Sequence, residues 1–359
     1  MPRKAALPLN EYEATRIALI KPSALGDIVH SLPVLTALRQ RFPQAHITWI
    51  VNRVYQPLLE GHPHLDATLA FERKALHKGW WQGFKSVASF AHQLRKDDFD
   101  LVIDLQGLMR TGLMCVVTGA RRRVGLSSAR EGAPWAYSDV LEVADFEAVH
   151  AVDRYWLVAE ALGVGDHPKE FRVPIQPYAR DWAKRALQEC PKPWLLVGVG
   201  SRWVTKRWLP RHFATLLNLA QEAFGGTAIF VGASDEVDVA QETADLLKLT
   251  YRNFTGETTL PQLAALLEQA DVMIANDTGP LHLAAALGRP VVAPYTCTKV
   301  RLNGPYGASA GAVESRIWCQ GSYLKHCPRL ECMAELTPDR LWPVLQGVLE
   351  KWEARSRSA

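Results

Sequence analysis

RIALIKPSALGDIVHSLPVL, residues 16–35, joins an apolar run to a segment whose apolar side chains recur at helical spacing. Residues 17–20 predict a strand, and residues 28–41 predict the helix that follows it. A short loop that turns a strand into a helix commonly holds a phosphate at the helix N-terminus. This loop, however, has a single glycine and carries the carboxylate of Asp27, which would repel an anion. The stretch predicts a Rossmann-like start to the fold and leaves the task of Asp27 to be explained.

The same alternation of apolar runs and helical patterns continues along the chain. Further strands are predicted over residues 46–51, 101–104, 194–199, 228–231, 272–275 and 291–293. Further helices are predicted over residues 84–94, 210–223, 237–247, 260–269 and 281–287. Strands that alternate with helices form βαβ units and parallel sheets. The sequence therefore predicts an α/β protein built from doubly wound domains.

A linker divides this pattern into two halves. VPIQPYARDW, residues 173–182, is typical of a linker before a new helix, and 359 residues suffice for two domains. We predict an N-terminal Rossmann-like domain over residues 1–176 and a second over residues 177–337. A last helix, over residues 338–359, is expected to pack back toward the first domain. Two such domains facing across a cleft form the GT-B architecture of many sugar-nucleotide glycosyltransferases, because ligands bind at the carboxyl ends of the strands.

The net charge is +4, which suits an anionic substrate or an anionic membrane surface but is too weak by itself to indicate nucleic-acid binding. The N-terminus has no signal-peptide pattern, and no stretch approaches the roughly 18 apolar residues of a membrane span. We therefore expect a cytoplasmic protein. Six cysteines in so long a chain do not make a disulfide framework.

NDTGPLHL, residues 276–283, follows one predicted strand and opens a helix. Backbone N–H groups of Thr278 and Gly279, with the Thr278 hydroxyl, would lie at the helix N-terminus, where the helix dipole favours an anion. Asp277 and His282 add polar groups that would be costly to bury without a partner. The alternative is an ordinary N-capped helix.

Two other loops follow strands in the second half. The first is GVGS, residues 198–201, which ends at Ser201 and is followed by Lys206, whose charge could bind a phosphate. The second is VGASDE, residues 231–236, in which the Glu236 carboxylate could bind the hydroxyls of a ribose. Solvated surface loops are the alternative for both. Taken together, the three loops predict a nucleoside diphosphate site. Neither a Walker sequence nor Gly-x-Gly-x-x-Gly occurs, which disfavours P-loop enzymes and nicotinamide or flavin oxidoreductases.

Five stretches in order carry a resemblance to a known family. They are residues 21–35, residues 104–113 (DLQGLMRTGL), residues 128–134 (SAREGAP), residues 150–154 (HAVDR) and residues 276–292 (NDTGPLHLAAALGRPVV). Together they resemble the ADP-heptose:lipopolysaccharide heptosyltransferases, glycosyltransferase family 9. The similarity spans about residues 16–348, and the SAREGAP and HAVDR stretches resemble type I, which adds the first heptose to Kdo2-lipid A, more than type II.

The resemblance implies an inverting transferase that moves L-glycero-D-manno-heptose from ADP-heptose to Kdo2-lipid A. Asp27 would be the catalytic base that takes the acceptor proton, with a plain helix cap as the alternative. No cofactor or metal is implied, since protein cations and dipoles can stabilise the departing ADP. The lipid acceptor implies peripheral contact with the cytoplasmic face of the inner membrane. KGWW, residues 78–81, is a candidate contact, with buried tryptophan as the simpler account.

The remaining site residues are also implied by the resemblance. Ser201 and Lys206 match the phosphate loop, and Glu236 matches the acid that holds the ribose. The diphosphate-helix motif is matched by Asp277, Thr278, Gly279 and His282. Cations for the acidic acceptor would be Arg73, Lys74 and Arg130.

Cys319, Cys327 and Cys332 form a C-x7-C-x4-C pattern beside His326. Three thiols and a histidine can fill a tetrahedral metal site, but adjacent His326 and Cys327 would be strained as ligands of one ion. We expect reduced thiols and no metal.

Two other functions stay open from the sequence, and a third, nucleic-acid binding, is disfavoured. A family 9 transferase with another sugar or acceptor, including a type II or protein-directed enzyme, keeps the same motifs. A silent nucleotide-sugar-binding module would not need Asp27. No nucleic acid is expected as a partner, because the aromatic residues do not alternate with a basic patch.

Overall fold

The computed structural model describes residues 7–72 and 80–358, with side chains from residue 85 onward in the second range. The chain divides into two compact units, residues 1–174 and 175–359. Each unit contains a parallel sheet of six strands, and each sheet is ordered as a doubly wound Rossmann-like fold. The predicted α/β fold class is confirmed.

The first unit has strand order β3-β2-β1-β4-β5-β6. Its strands are β1 (Arg16–Ile20), β2 (His46–Asn52), β3 (Ala67–Phe71), β4 (Leu101–Asp104), β5 (Arg122–Leu126) and β6 (Asp139–Leu141). Its helices are α1 (Leu25–Arg41), α2 (Gln56–Leu59), α3 (Trp80–Lys96), α4 (Met109–Thr118) and α5 (Ala151–Ala161). Ile20 is paired with Asp104, so the two central strands β1 and β4 end at the same level.

The second unit repeats this topology with strand order β12-β11-β10-β7-β8-β9. Its strands are β7 (Trp194–Gly198), β8 (Thr227–Phe230), β9 (Tyr251–Asn253), β10 (Val272–Ala275), β11 (Val291–Tyr295) and β12 (Ala312–Glu314). Its helices are α6 (Pro177–Leu187), α7 (Pro210–Phe224), α8 (Val237–Ala244), α9 (Leu260–Gln269), α10 (Gly279–Ala286), α11 (Val300–Asn303), α12 (Glu331–Glu335) and α13 (Pro338–Arg357). The central strands β7 and β10 also end level, with Gly198 paired to Ala275.

Burial accounts for several of the elements that the sequence predicted. β4, β8 and β10 are buried along their whole length, and α1 is buried continuously from Ile28 to Leu38. Five strands were not predicted: β3, β5, β6, β9 and β12. Of these, β6, β9 and β12 have three residues each and keep solvent contact. A short half-exposed strand leaves too little apolar pattern to distinguish it from a loop.

The C-terminal helix α13 packs against α7 and β11 in the second unit. Leu341, Leu345 and Leu349 recur every fourth residue and are fully buried in the core of that unit. The predicted contact between this helix and the first domain stays a prediction. Among the residues described, no helix has both the length and the apolar character that a bilayer crossing requires.

Candidate active site

Asp27 lies in the first turn of α1, directly after β1. Its Oδ2 accepts a hydrogen bond from the backbone N–H of Ala24 at 3.1 Å, and its Oδ1 accepts one from the Tyr155 hydroxyl at 3.3 Å. The side chain remains 41% exposed. Asp27 therefore does cap the helix, as the alternative interpretation held. The cap uses one lone pair of Oδ2 and leaves the carboxylate accessible to a substrate.

Lys21 lies behind this carboxylate. Its Nζ donates to the Leu105 carbonyl at 2.8 Å and to the Tyr155 hydroxyl at 2.7 Å, and it lies 3.9 Å from Asp27 Oδ1. Burial alone would lower the pKa of Lys21, but Tyr155 and the carboxylates of Asp27 and Asp104 outweigh burial and raise it. Lys21 is therefore a buried ammonium group. Neither Lys21 nor Tyr155 was predicted from the sequence as a site residue.

Arg130, in the loop after β5, is held by the loop after β4 at the same edge of the sheet. Asp104, fully buried, accepts hydrogen bonds from the backbone N–H groups of Gln106 and Gly107 and from the Tyr137 hydroxyl. Burial raises the pKa of Asp104. The carbonyl of Gly107 in turn accepts from the Arg130 backbone N–H at 2.8 Å. Arg130 is exposed there, as its predicted role requires. The other two predicted acceptor cations, Arg73 and Lys74, lie outside the described residues.

In the second unit, Asp277 is the acceptor at the centre of a buried network. Its Oδ1 accepts from His282 Nε2 and from the Tyr295 hydroxyl, each at 3.2 Å. Its Oδ2 accepts from Lys206 Nζ at 2.5 Å and from the Thr298 hydroxyl at 2.7 Å. Burial would raise the pKa of Asp277, but the hydrogen bonds and charges of His282 and Lys206 lower it well below its usual range. Asp277 is ionised and fully occupied by protein donors.

This network brings together most of the predicted diphosphate residues. Thr278 is the N-cap of α10 and Gly279 is its first residue, so their N–H groups lie at the helix start, as predicted. Lys206 remains 17% exposed and also lies over the Trp203 ring, 4.7 Å from its centroid. Asn276, which sequence reasoning passed over, donates to the Val199 carbonyl at 2.7 Å and thereby ties this loop to the one after β7.

Ser201 and Glu236 occupy the loops after β7 and β8. Ser201 is buried, and its carbonyl accepts from Arg207 Nε at 2.6 Å. Glu236 Oε2 accepts from the Ala233 N–H at 2.9 Å, and burial raises the pKa of this carboxyl group. A Cβ on Gly200 would lie 2.0 Å from the Glu236 Cδ, so a larger residue there would require the Glu236 side chain to move. The absence of a side chain on Gly200 therefore makes room for the Glu236 carboxyl group.

The cysteines of the C-x7-C-x4-C pattern differ in their surroundings. Cys319 and Cys327 are partly exposed, whereas Cys332 is buried. Burial and the neighbouring thiols of Cys297, Cys319 and Cys327 raise the pKa of Cys332 to about 11. Within the part of the chain that the structure describes, no three His, Cys, Asp or Glu side chains are grouped as metal ligands. The expected absence of a metal stays a prediction.

Two doubly wound units, each with polar groups at the carboxyl ends of its central strands, are typical of GT-B glycosyltransferases. Residues 87–333 match glycosyltransferase family 9 (heptosyltransferase), which is more than half of the chain. The chain belongs to this family and is a glycosyltransferase.

Named relatives and solved structures agree with that assignment. The chain is 29% identical over 358 residues to lipopolysaccharide heptosyltransferase 1 of Pseudomonas aeruginosa, covering 93% of this chain and 98% of the relative. It is 26% identical to the lipopolysaccharide core heptosyltransferase OpsX of Haemophilus influenzae, covering 84% of each chain.

Among solved structures, a family 9 glycosyltransferase of Veillonella parvula has a TM-score of 0.82 at 23% identity, covering 95% of this chain and 99% of that one. The Escherichia coli heptosyltransferase WaaC with ADP has a TM-score of 0.74 at 22% identity, covering 93% of this chain and 100% of that one. These two structures show the shared fold.

Proposed function

We propose that the protein transfers L-glycero-D-manno-heptose from ADP-heptose to the Kdo region of Kdo2-lipid A, with inversion at the anomeric carbon, in synthesis of the lipopolysaccharide inner core. The observation that carries the proposal is the Asp27 carboxylate, exposed at the carboxyl edge of its sheet in a family 9 transferase. The choice of donor and acceptor is supported by relatives, one named lipopolysaccharide heptosyltransferase 1 and another, WaaC, solved with ADP-2-deoxy-2-fluoro heptose.

In the proposed reaction, Asp27 acts as general base. An acceptor hydroxyl oxygen attacks C1 of the heptose from the face opposite the ADP, while its proton passes to the Asp27 carboxylate. The new C1–O bond forms as the bond between C1 and the ADP oxygen breaks, and the electron pair of that bond leaves with ADP. Because attack and departure occur on opposite faces, the configuration at C1 inverts.

The second unit would stabilise the negative charge that develops on ADP. Lys206 offers an ammonium group, and the N–H groups of Thr278 and Gly279 at the start of α10 add an oriented dipole. His282 is held by Asp277 beside the same helix start. Glu236, next to the backbone of Gly200, is placed to accept hydrogen bonds from ribose hydroxyls, and Ser201 completes the proposed donor site.

The lipid acceptor places the protein at the cytoplasmic face of the inner membrane in this proposal. Support comes from α4, where Met109, Leu113 and Val116 expose apolar side chains along one face. Trp135 is also exposed, and its indole N–H contacts the Met109 sulfur at 3.4 Å. Tryptophan beside apolar side chains is typical of membrane-interface contact. The contact predicted at residues 78–81 falls where side chains are not described, and Arg73, Lys74 and Arg130 stay the proposed acceptor cations.

We also propose that the reaction needs no cofactor or metal. Exhaustive treatment with a chelator should leave turnover and the melting temperature unchanged, and purified protein should contain no stoichiometric zinc or iron. About one metal per chain, lost together with stability in Cys327→Ser, would contradict the proposal, because a closed metal site couples ligation to folding.

A donor panel tests the proposed function. ADP-heptose, other ADP-sugars, GDP-sugars and UDP-sugars are each offered with Kdo2-lipid A, and product anomers are assigned by NMR. We expect transfer from ADP-heptose alone, with inversion. A second arm offers Kdo2-lipid A that already carries one heptose; preference for that acceptor would indicate a type II activity, and transfer to protein would indicate a protein-directed enzyme. Binding of ADP-heptose without transfer to any acceptor would indicate a silent binding module.

A further inference from the structure

The ends of the two central strands in the first unit are bridged by one buried charge. Lys21, the first residue after β1, is 2% exposed. Its ammonium group donates to the carbonyl of Leu105, the first residue after β4, and to the Tyr155 hydroxyl, at 2.8 and 2.7 Å. Tyr155 comes from α5, which packs against α1. Three separate segments therefore meet at this ammonium group.

The hydrogen bonds from this ammonium run in one direction toward Asp27. An ammonium group only donates, so the Tyr155 oxygen accepts from Lys21 and the Tyr155 O–H is left to donate to Asp27 Oδ1, at 3.3 Å. Burial raises the pKa of Tyr155, so the hydroxyl retains its proton for this bond. From the other side, the Ala24 N–H holds Oδ2. Both oxygens of the carboxylate are thus fixed by donors within the protein.

The network is costly for a purely structural purpose. An ammonium group loses its hydration on burial, and a well-packed apolar side chain at the same place avoids that penalty. The Leu105 carbonyl needs only one donor, which a neutral group can supply. Besides the electrostatic attraction of buried Asp104, Lys21 is left with the hydroxyl that contacts Asp27 and, at 3.9 Å, the Asp27 carboxylate itself. The buried charge is explained if it serves Asp27.

We infer that Tyr155 and Lys21 are positioning residues. They hold the Asp27 carboxylate in the orientation in which it can accept a hydrogen bond from the hydroxyl of the acceptor substrate. The inference rests on the proposed role of Asp27 as the base. Neither residue needs to touch a substrate: Lys21 orients the Tyr155 hydroxyl, and this hydroxyl orients Oδ1. Loss of the Tyr155 hydroxyl frees the carboxylate to rotate, which lowers the fraction of complexes aligned for proton transfer.

A double-mutant cycle between Tyr155→Phe and Asp27→Asn tests the inference. Phenylalanine keeps the ring and removes only the hydroxyl. We expect Tyr155→Phe to lower kcat by roughly ten- to a hundredfold, with KM for the acceptor and the Kd for ADP within about twofold of wild type. In the Asp27→Asn background, the same change should cost nothing further, because a residue that acts through Asp27 has no effect without it.

Tyr12→Phe is the matched control. The Tyr12 hydroxyl donates to the Asp100 carbonyl at 3.2 Å, at the opposite end of the strands, so its loss should leave kcat unchanged. Lys21→Met should repeat the kcat loss of Tyr155→Phe and the same lack of effect in the Asp27→Asn background. If Lys21→Met fails to fold, the double-mutant cycle between Tyr155→Phe and Asp27→Asn still tests the inference.

The outcomes separate the inference from the proposed function. Wild-type turnover in Asp27→Asn, or no transfer by the wild type from any donor, would overturn the proposed base and the inference with it. If Asp27→Asn loses turnover while Tyr155→Phe does not, only the inference fails. The inference also fails, while the proposed function stands, if Tyr155→Phe lowers kcat by the same factor in the wild-type and Asp27→Asn backgrounds.

Discussion

Each unit has an aspartate paired with a lysine at the carboxyl edge of its sheet. The two units differ in which member of the pair is exposed to solvent. In the first unit, the side chain of Asp27 is 41% exposed and that of Lys21 is 3% exposed. In the second, Lys206 is 17% exposed and Asp277 is 5% exposed. The acid is outermost in one unit, and the cation is outermost in the other.

A tyrosine completes each set. Tyr155 donates to Asp27 at 3.3 Å, and Tyr295 donates to Asp277 at 3.2 Å. In both places the buried member of the ion pair fixes the accessible one, since a desolvated charge is held firmly by its partners. The difference lies in which charge a ligand meets. A carboxylate suits a hydroxyl that must lose a proton, whereas an ammonium suits a diphosphate, in agreement with the proposed acceptor and donor units.

Asp27→Asn should give the largest effect on activity, because it removes the accessible charge of the first unit. We expect turnover to fall by roughly 10²–10⁴-fold, the range for loss of a general base, with little change in ADP affinity. Initial rates and calorimetry measure the two quantities. Asp166→Asn, an exposed aspartate in the same unit, is the control and should behave as wild type. A folded Asp27→Asn protein with near-normal turnover would exclude Asp27 as the base.

Asp277→Asn changes the buried member of the other pair, so we expect its main effect on stability. Four donors lose a charged acceptor, which should lower the free energy of unfolding by about 3 kcal/mol at pH 7. The pKa of Asp277 is lowered in the fold, so its contribution is complete above about pH 4 and is lost as the pH falls below that value. Urea unfolding at pH 7 measures the difference. Wild-type stability would show that the network is not held by the carboxylate.

Lys206→Ala removes the accessible charge of the second unit. Loss of a charge-assisted contact should weaken ADP binding by about 1.5–3 kcal/mol, roughly ten- to 150-fold, and should also lower turnover. Calorimetry with ADP measures the change. The control is Lys248→Ala, an exposed lysine paired with Glu222 in the same unit. Unchanged ADP binding in Lys206→Ala would mean that this lysine serves only to neutralise Asp277.

The two units also show which parts of the site can be predicted from the sequence. The strand-end loops that carry Asp27, Lys206 and Asp277 were predicted, because each follows an apolar run of strand length. Their tyrosine partners were not. Tyr155 is 128 residues from Asp27 along the chain, and no local spacing links the two. An acidic side chain at a helix start can point toward solvent or toward the core, and the local sequence pattern is the same in both cases. The burial of Asp277 is therefore evident only from its partners in the fold.

The smallest expected effect concerns acid stability, in which the two units should again differ. His62 in the first unit is buried, and burial lowers its pKa to about 4. Its Nε2–H donates to the Arg172 carbonyl at 2.9 Å, and its Nδ1 accepts the His64 N–H at 3.1 Å, so the neutral ring uses both nitrogens. The contribution of His62 to stability is complete above about pH 6.5 and is lost as the pH falls from there toward 4.

At pH 5 this loss should be about 2 kcal/mol, whereas the contribution of Asp277 is still intact, because its titration lies below about pH 4. Urea unfolding at pH 7 and pH 5 measures the loss, and His62→Gln is the informative variant. Glutamine does not titrate, so the variant should start from a lower stability at pH 7 and lose about 2 kcal/mol less than wild type on acidification. Equal losses in the two proteins would assign the acid sensitivity to other groups, beginning with His64, whose pKa burial also lowers.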